Sequence, residues 1–228
     1  MRAAWYAVPL LLVALPGMSA TRGLDVRDLV SLDRVSAPVL NAEGSMLLYS
    51  LREVVGDDYK AVNNLYLRPV DAEGNVKRLN PAGVSVSSAS FSPDASTVFF
   101  LSGASGSSQI WAVPSKGGRA RQVTDYPLDV GSYRFSPDGQ RVALSFAVFA
   151  DCAADLDCSA RRFAAQPVSS GRKFDKLFVR HWDTWADGSR NQLFVDSLQR
   201  GKASGKPVLV SRGIDGDVPS KPFGGTDD

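Results

Sequence analysis

The chain has 228 residues, 44% hydrophobic and 22% charged, a composition that excludes disordered, collagen-like and membrane-bundle classes. Lys and Arg number 26 against 24 for Asp and Glu, so charge balance offers no reason to expect nucleic acid or an anionic membrane surface as a partner. One histidine and two cysteines leave little for metal or triad chemistry.

Residues 1–20 read as a secretory signal peptide. Arg2 is a positive n-region, Trp5 to Leu15 is apolar without a charge, and Gly17-Met18-Ser19-Ala20 offers small residues for cleavage. The apolar run is about half of the roughly 20 residues a spanning helix needs, and Pro9 and Pro16 interrupt it. Cleavage near Ala20 predicts an exported chain, periplasmic or secreted, with no membrane contact afterwards. A helical lead-in over 21–36 follows, in which Asp25 reads as an N-cap and Asp28 can return a capping-box contact.

The organising feature is a repeat. Phe91-Ser92-Pro93-Asp94-Ala95 recurs as Phe135-Ser136-Pro137-Asp138-Gly139, 44 residues on. A degenerate earlier copy is Leu40-Asn41-Ala42-Glu43-Gly44. Ser-Pro-Asp-Gly suits a tight turn because Pro fixes φ, Asp accepts locally and Gly tolerates the closing position. After each motif come apolar strands separated by Gly-rich turns: Met46 to Leu51, Asn64 to Val70 and Val76 to Leu79; then Thr97 to Leu101, Gln109 to Val113 and Arg121 to Thr124; then Arg141 to Phe149, Asn191 to Asp196 and Pro207 to Ser211. This period predicts an all-β fold, a partial β-propeller of about three four-stranded blades with WD40-like or TolB-like repeats. A β-sandwich also shows short strands but does not repeat one turn at blade spacing. The blades fall at about 37–80, 86–126 and 130–212, with an insertion at 150–176, and 213–228 reads as a linker toward a further blade.

Cys152 and Cys158 sit in a polar loop of the insertion, and two thiols cannot make a four-ligand zinc site. In an exported chain they predict a local disulfide; in a reducing compartment they would be free thiols. Arg161, Arg162, Arg172 and Lys173 lack interleaved aromatics and read as a solvated excursion. His181, Trp182, Asp183, Trp185 and Arg190 are the candidate substrate or inter-domain contacts. If Asp187-Gly188 closes a two-residue hairpin, Trp185 faces Arg190 and Trp182 faces Leu193 as ordinary cross-strand pairs.

On these residues the chain resembles the N-terminal part of exported bacterial serine peptidases of the prolyl oligopeptidase (S9) family, the dipeptidyl aminopeptidase and acylaminoacyl peptidase branch. The resemblance is carried by the opening Leu24-Asp25-Val26-Arg27-Asp28-Leu29-Val30-Ser31-Leu32-Asp33-Arg34-Val35-Ser36, the Phe-Ser-Pro-Asp repeats, the two-cysteine insertion, and Lys176 to Phe194. It implies a seven- or eight-bladed propeller ahead of a hydrolase domain, limiting entry to short peptides. The chain holds no Gly-x-Ser-x-Gly, the elbow that exposes a nucleophilic serine. No catalytic residue, metal ligand or cofactor site is therefore assigned, and the chain alone is expected to be inactive. Its expected partners are the missing hydrolase domain, peptides as the family's substrate, and further copies of itself through open blade edges. An alternative is a short exported TolB-like module for protein interaction.

Overall fold

The computed structural model describes residues 22–56, 58–71, 75–165, 171, 173–175, 177, 179–181 and 184–219. The signal peptide expected over 1–20, most of the 166–178 stretch, Trp182, Asp183 and the last nine residues of the expected linker lie outside the described residues. The chain enters through α1 (Val26–Ser31), where Asp25 accepts from the backbone of Arg27 and Asp28 and the Asp28 carboxylate accepts from the Asp25 N–H, the expected capping box.

Three antiparallel sheets follow in chain order. The first has the order β1 (Arg34–Leu40), β2 (Met46–Val55), β3 (Lys60–Pro69), β4 (Lys77–Arg78). The second repeats it as β5 (Val86–Phe91), β6 (Thr97–Ser102), β7 (Gln109–Pro114), β8 (Arg121–Gln122). The third starts with β9 (Ser132–Phe135) and β10 (Arg141–Phe149), then leaves for an insertion with α2 (Leu156–Ala164) and the short pair β11 (Arg180–His181) and β12 (Thr184–Trp185). It returns as β13 (Ser189–Gln199), with β14 (Lys202–Ala203) and β15 (Val208–Leu209) both paired to β13. This is the partial propeller of three blades that the repeat predicts.

The turn motif nucleates each blade through its side chains. Ser92 Oγ accepts from the Thr97 N–H at 3.0 Å and donates to Asp94 Oδ1 at 2.6 Å. Ser136 does the same with Arg141 (2.9 Å) and Asp138 (2.5 Å). In the degenerate copy Asn41 substitutes for the serine, its Oδ1 accepting from the Met46 N–H at 2.8 Å. The closing residues Gly44, Ala95 and Gly139 have φ of +69°, +54° and +66°.

Alternation along the strands then builds the core. On the second sheet, Val98, Phe100 and Val113 join Leu48, Leu65 and Leu67 of the first sheet in one cluster. From the opposite face Leu101, Ile110 and Ala112 join Val142, Leu144, Phe146 and Phe194 of the third. Each fully buried Leu or Phe contributes about 1.5–3 kcal/mol, so the middle sheet is held on both sides.

The insertion differs from the expected polar loop. Cys152 lies in a turn, but Cys158 is in the first turn of α2, where Asp155 caps the helix by accepting from the Cys158 N–H at 2.8 Å. The helix forms because an apolar side has a surface to cover: Leu156, Ala160 and Phe163 pack on the cluster between the second and third sheets. The Phe163 ring lies 4.7 Å from that of Phe149. The sulfurs of Cys152 and Cys158 are 2.01 Å apart, with Cα atoms 5.6 Å apart.

Candidate functional site

Antiparallel order divides the connections between two ends of the blades. The Ser-Pro-Asp turns, and the turns joining the third strand of each blade to the fourth, lie at one end. The connections from second strand to third, and the linkers between blades, lie at the other. The insertion leaves β10 at this second end, and His181, Trp185 and Arg190 belong to the segment between β10 and the start of β13.

A repeated side-chain device shapes that end. An amide residue occupies the same ladder position on the third strand of each blade: Asn64 opposite Leu51, Gln109 opposite Ser102 and Gln192 opposite Phe146. A polar side chain just beyond the outer strand accepts from the next backbone N–H of that third strand: Asn80 Oδ1 from Leu65 (2.8 Å), Thr124 Oγ1 from Ile110 (2.9 Å), Ser211 Oγ from Leu193 (2.9 Å). The two side chains bond each other in every case, at 2.9, 2.8 and 2.7 Å. One amide per blade also donates to carbonyls of the outgoing linker. Asn80 holds those of Pro81 and Val84, Gln109 those of Tyr126 and Leu128, and Gln192 those of Ile214 and Gly216. These buried amides satisfy linker carbonyls that would otherwise lose water without a partner. Sequence reading missed them, because an amide followed by an apolar run recurs in all three repeats at different spacings from the turn motif and only the strand ladders bring the three to one position.

Next to the third clamp, Phe149, Ala153, Arg190, Leu209, Arg212 and Ile214 line a groove of about 450 Å³, with Asp215 also in its wall. Its floor exists because α2 folds back on Phe149, which is 2% exposed and carries the Arg162 guanidinium 4.1 Å above its ring. Arg162 also pairs with Asp151.

The structure separates the candidate residues into two groups. Arg190 faces Val148 on β10 and lines the groove. Trp185 pairs with Arg180 instead, with the guanidinium 5.0 Å from the indole centroid and Phe174 stacked at 5.7 Å. The expected cross-strand pair of Trp185 with Arg190 does not form, and the expected pair of Leu193 with Trp182 falls on a residue outside the described ones. Leu193 faces Ser145, in a nine-residue ladder between β10 and β13. That ladder outweighs a local hairpin, and Asp187 serves β13 by accepting from the Ser189 N–H and Oγ at 2.9 and 2.6 Å. His181 pairs with Thr184 through the backbone, and Trp182 and Asp183 lie outside the described residues. Arg212 and Ile214 were not legible as groove residues, because only the exit linker's path brings them beside Phe149.

Among the described residues, no group of three His, Cys, Asp or Glu side chains could hold a metal ion, and no helix is long and apolar enough to cross a membrane. An apolar floor flanked by guanidinium groups suits binding.

No family model matches the chain. Curated relatives do. The chain is 24% identical over 181 residues to dipeptidyl-peptidase 5 of Porphyromonas endodontalis, covering 79% of this chain and 25% of that protein. It is 24% identical over 226 residues to dipeptidyl-peptidase 5 of Aspergillus oryzae, covering 92% and 31%. Among solved structures, the acylaminoacyl peptidase of Pyrococcus horikoshii superposes with a TM-score of 0.57 at 14% identity, over 81% of this chain and 26% of that one. The chain thus spans about a quarter to a third of the length of the relatives it matches.

Proposed function

We propose that this chain, the propeller portion of a serine peptidase of the prolyl oligopeptidase (S9) type, restricts which peptides reach a hydrolase domain that the 228 residues do not contain. The observation that carries the reading is a coincidence of two likenesses. The dipeptidyl-peptidase match and the acylaminoacyl peptidase fold match each cover most of this chain, 79–92%, and only 25–31% of the longer proteins. Short peptides are the substrate class. The signal-like residues 1–20 and the joined cysteines support export to an oxidising compartment. Acyl transfer needs an activated serine, a histidine base with an orienting carboxylate, and an oxyanion hole, and the only histidine of the chain, His181, sits in the short β11–β12 pair.

The purified chain lacking residues 1–20 should therefore leave dipeptidyl and acyl-aminoacyl chromogenic substrates intact and take up no fluorophosphonate probe. Stoichiometric labelling of one serine, lost in His181→Ala, overturns the reading. Sequencing the gene beyond codon 228 supplies a second test: a further Phe-Ser-Pro-Asp-Gly and a distal Gly-x-Ser-x-Gly are expected.

A further inference from the structure

We infer that the crevice between the first and second blades binds a small apolar carboxylate: an aromatic or branched aliphatic side chain carried next to a free carboxylate, with no cationic group beside it. The inference rests on the packing of one blade junction and not on any peptidase activity. The crevice holds about 390 Å³ and lies between the first blade's fourth strand, with the linker that follows it, and the outer strands of the second sheet. Its floor is apolar. Leu79 and Phe100 are 5% and 1% exposed, and Val84 and Trp111 are half-buried beside them. Arg78 of the first blade and Arg119 of the second also line it, and both are exposed.

The junction between the second and third blades shows why this space exists. Asn80 and Thr124 make the same clamp 44 residues apart, and the two Phe-Ser-Pro-Asp turns keep that spacing, so each residue of the first linker has a counterpart 44 positions on. At the second junction Tyr126 of the linker meets Phe146 of β10 edge to face, with ring centroids 5.0 Å apart and both side chains buried. The counterparts at the first junction are Ala82 and Ser102. The first junction therefore lacks an aromatic pair that the second has, and Ser102 lines the space that remains. Charge changes at the same place. Arg78, opposite Tyr66, stands where the second blade has Gln122, opposite Trp111.

These features select the ligand. The floor takes an apolar body, since burying its surface is favourable. No carboxylate lines the crevice, and among the described residues neither guanidinium has a salt bridge or hydrogen bond. Guanidinium groups match a carboxylate, which accepts bidentate, charge-assisted bonds from them. A free α-ammonium would meet like charges without a counter-ion, so a zwitterionic amino acid is disfavoured against the same residue with its amine acylated. The volume is at the small end of the roughly 300–1,000 Å³ usual for ligand sites, which suits one residue and its carboxylate. The C-terminal residue of a peptide and a free N-acylated amino acid share this chemistry.

Titration calorimetry on the purified chain tests this with N-acetylphenylalanine, its amide and phenylalanine. The N-acetyl acid should bind saturably, in the millimolar range or tighter. The amide and the zwitterion should bind about tenfold or more weakly, the amide because it has lost the charged acceptor. Arg78→Gln combined with Arg119→Gln, both at exposed positions, should weaken the acid by a similar factor. Ala82→Tyr combined with Ser102→Phe copies the second junction and should abolish binding; far-ultraviolet circular dichroism shows whether it folds, and the arginine pair carries the test if it does not. Acetyl-Gly-Gly-Phe binding more tightly than N-acetylphenylalanine identifies a peptide C-terminus as the ligand, and equal or weaker binding identifies the free acid. No binding of either acid at millimolar concentration, an amide that binds as tightly as the acid, or a folded double variant of either kind that keeps the affinity overturns the inference.

Discussion

The phenol of Tyr126 donates to Asp196 Oδ2 at 2.6 Å across 70 positions of sequence, tying the linker that leaves the second blade to the third strand of the third. The same buried carboxylate accepts from the Gly205 N–H at 2.9 Å, the Ser197 N–H at 2.7 Å and Ser204 Oγ. Burial, then the bond to Asp196, push the Tyr126 pKa upward. Tyr126→Phe should cost about 1–3 kcal/mol by removing a donor from a buried charged acceptor, read by urea denaturation. The raised phenol also sets a sign: its contribution is fully present below the unfolded-state value of about 10 and is lost as pH rises beyond it. Tyrosinate absorbance of the folded wild type should accordingly show at least two phenols fewer titrating near pH 10 than the unfolded chain does, because burial raises Tyr133 as well as Tyr126.

Gln109 is fully buried, and its amide satisfies Tyr126 and Leu128 carbonyls while accepting from Thr124 and the Tyr126 N–H. Gln109→Leu preserves most of the volume but strands those groups, so a loss of about 2–4 kcal/mol is expected. A change within about 0.5 kcal/mol would show that water replaces the clamp at no cost.

The turn residues Ala95 and Gly139 occupy the same left-handed position, at φ of +54° and +66°. An L side chain is strained there by about 1 kcal/mol. Ala95→Gly should therefore raise stability by up to about 1 kcal/mol, and Gly139→Ala should lower it by a similar amount, since nothing lies within 4 Å of a Cβ added at Gly139. Thermal melts of the two variants should move in opposite directions.

Joining Cys152 to Cys158 closes a short loop, worth about 2 kcal/mol on the chain-entropy account. Non-reduced protein made in an oxidising compartment should resist alkylation at both sites, and reduction should add two alkyl groups by intact mass. The double serine variant should keep its strand content, because the core clusters between the sheets do not depend on the loop.

The repeat itself determined the strands and their turns, because a Ser-Pro-Asp turn is a local event: Ser92 and Ser136 find their partners within five residues. Alternation of apolar residues on Thr97 to Leu101 and Arg141 to Phe149 marked two-sided strands for the same local reason. Helix α2 was hidden because its stability comes from Phe163 meeting Phe149, a contact that exists only once β10 is in place. The Asp187-Gly188 pair illustrates the opposite error. Its turn chemistry is real, but the nine-residue ladder from Ser189 to Ser197 with β10 took the strand that a local hairpin would have used. Arg190, Arg212 and Ile214 share one groove for a similar reason. Strand return after the insertion sets the first, and the Gln192 grip on the exit linker sets the others, so only the tertiary structure could bring them together.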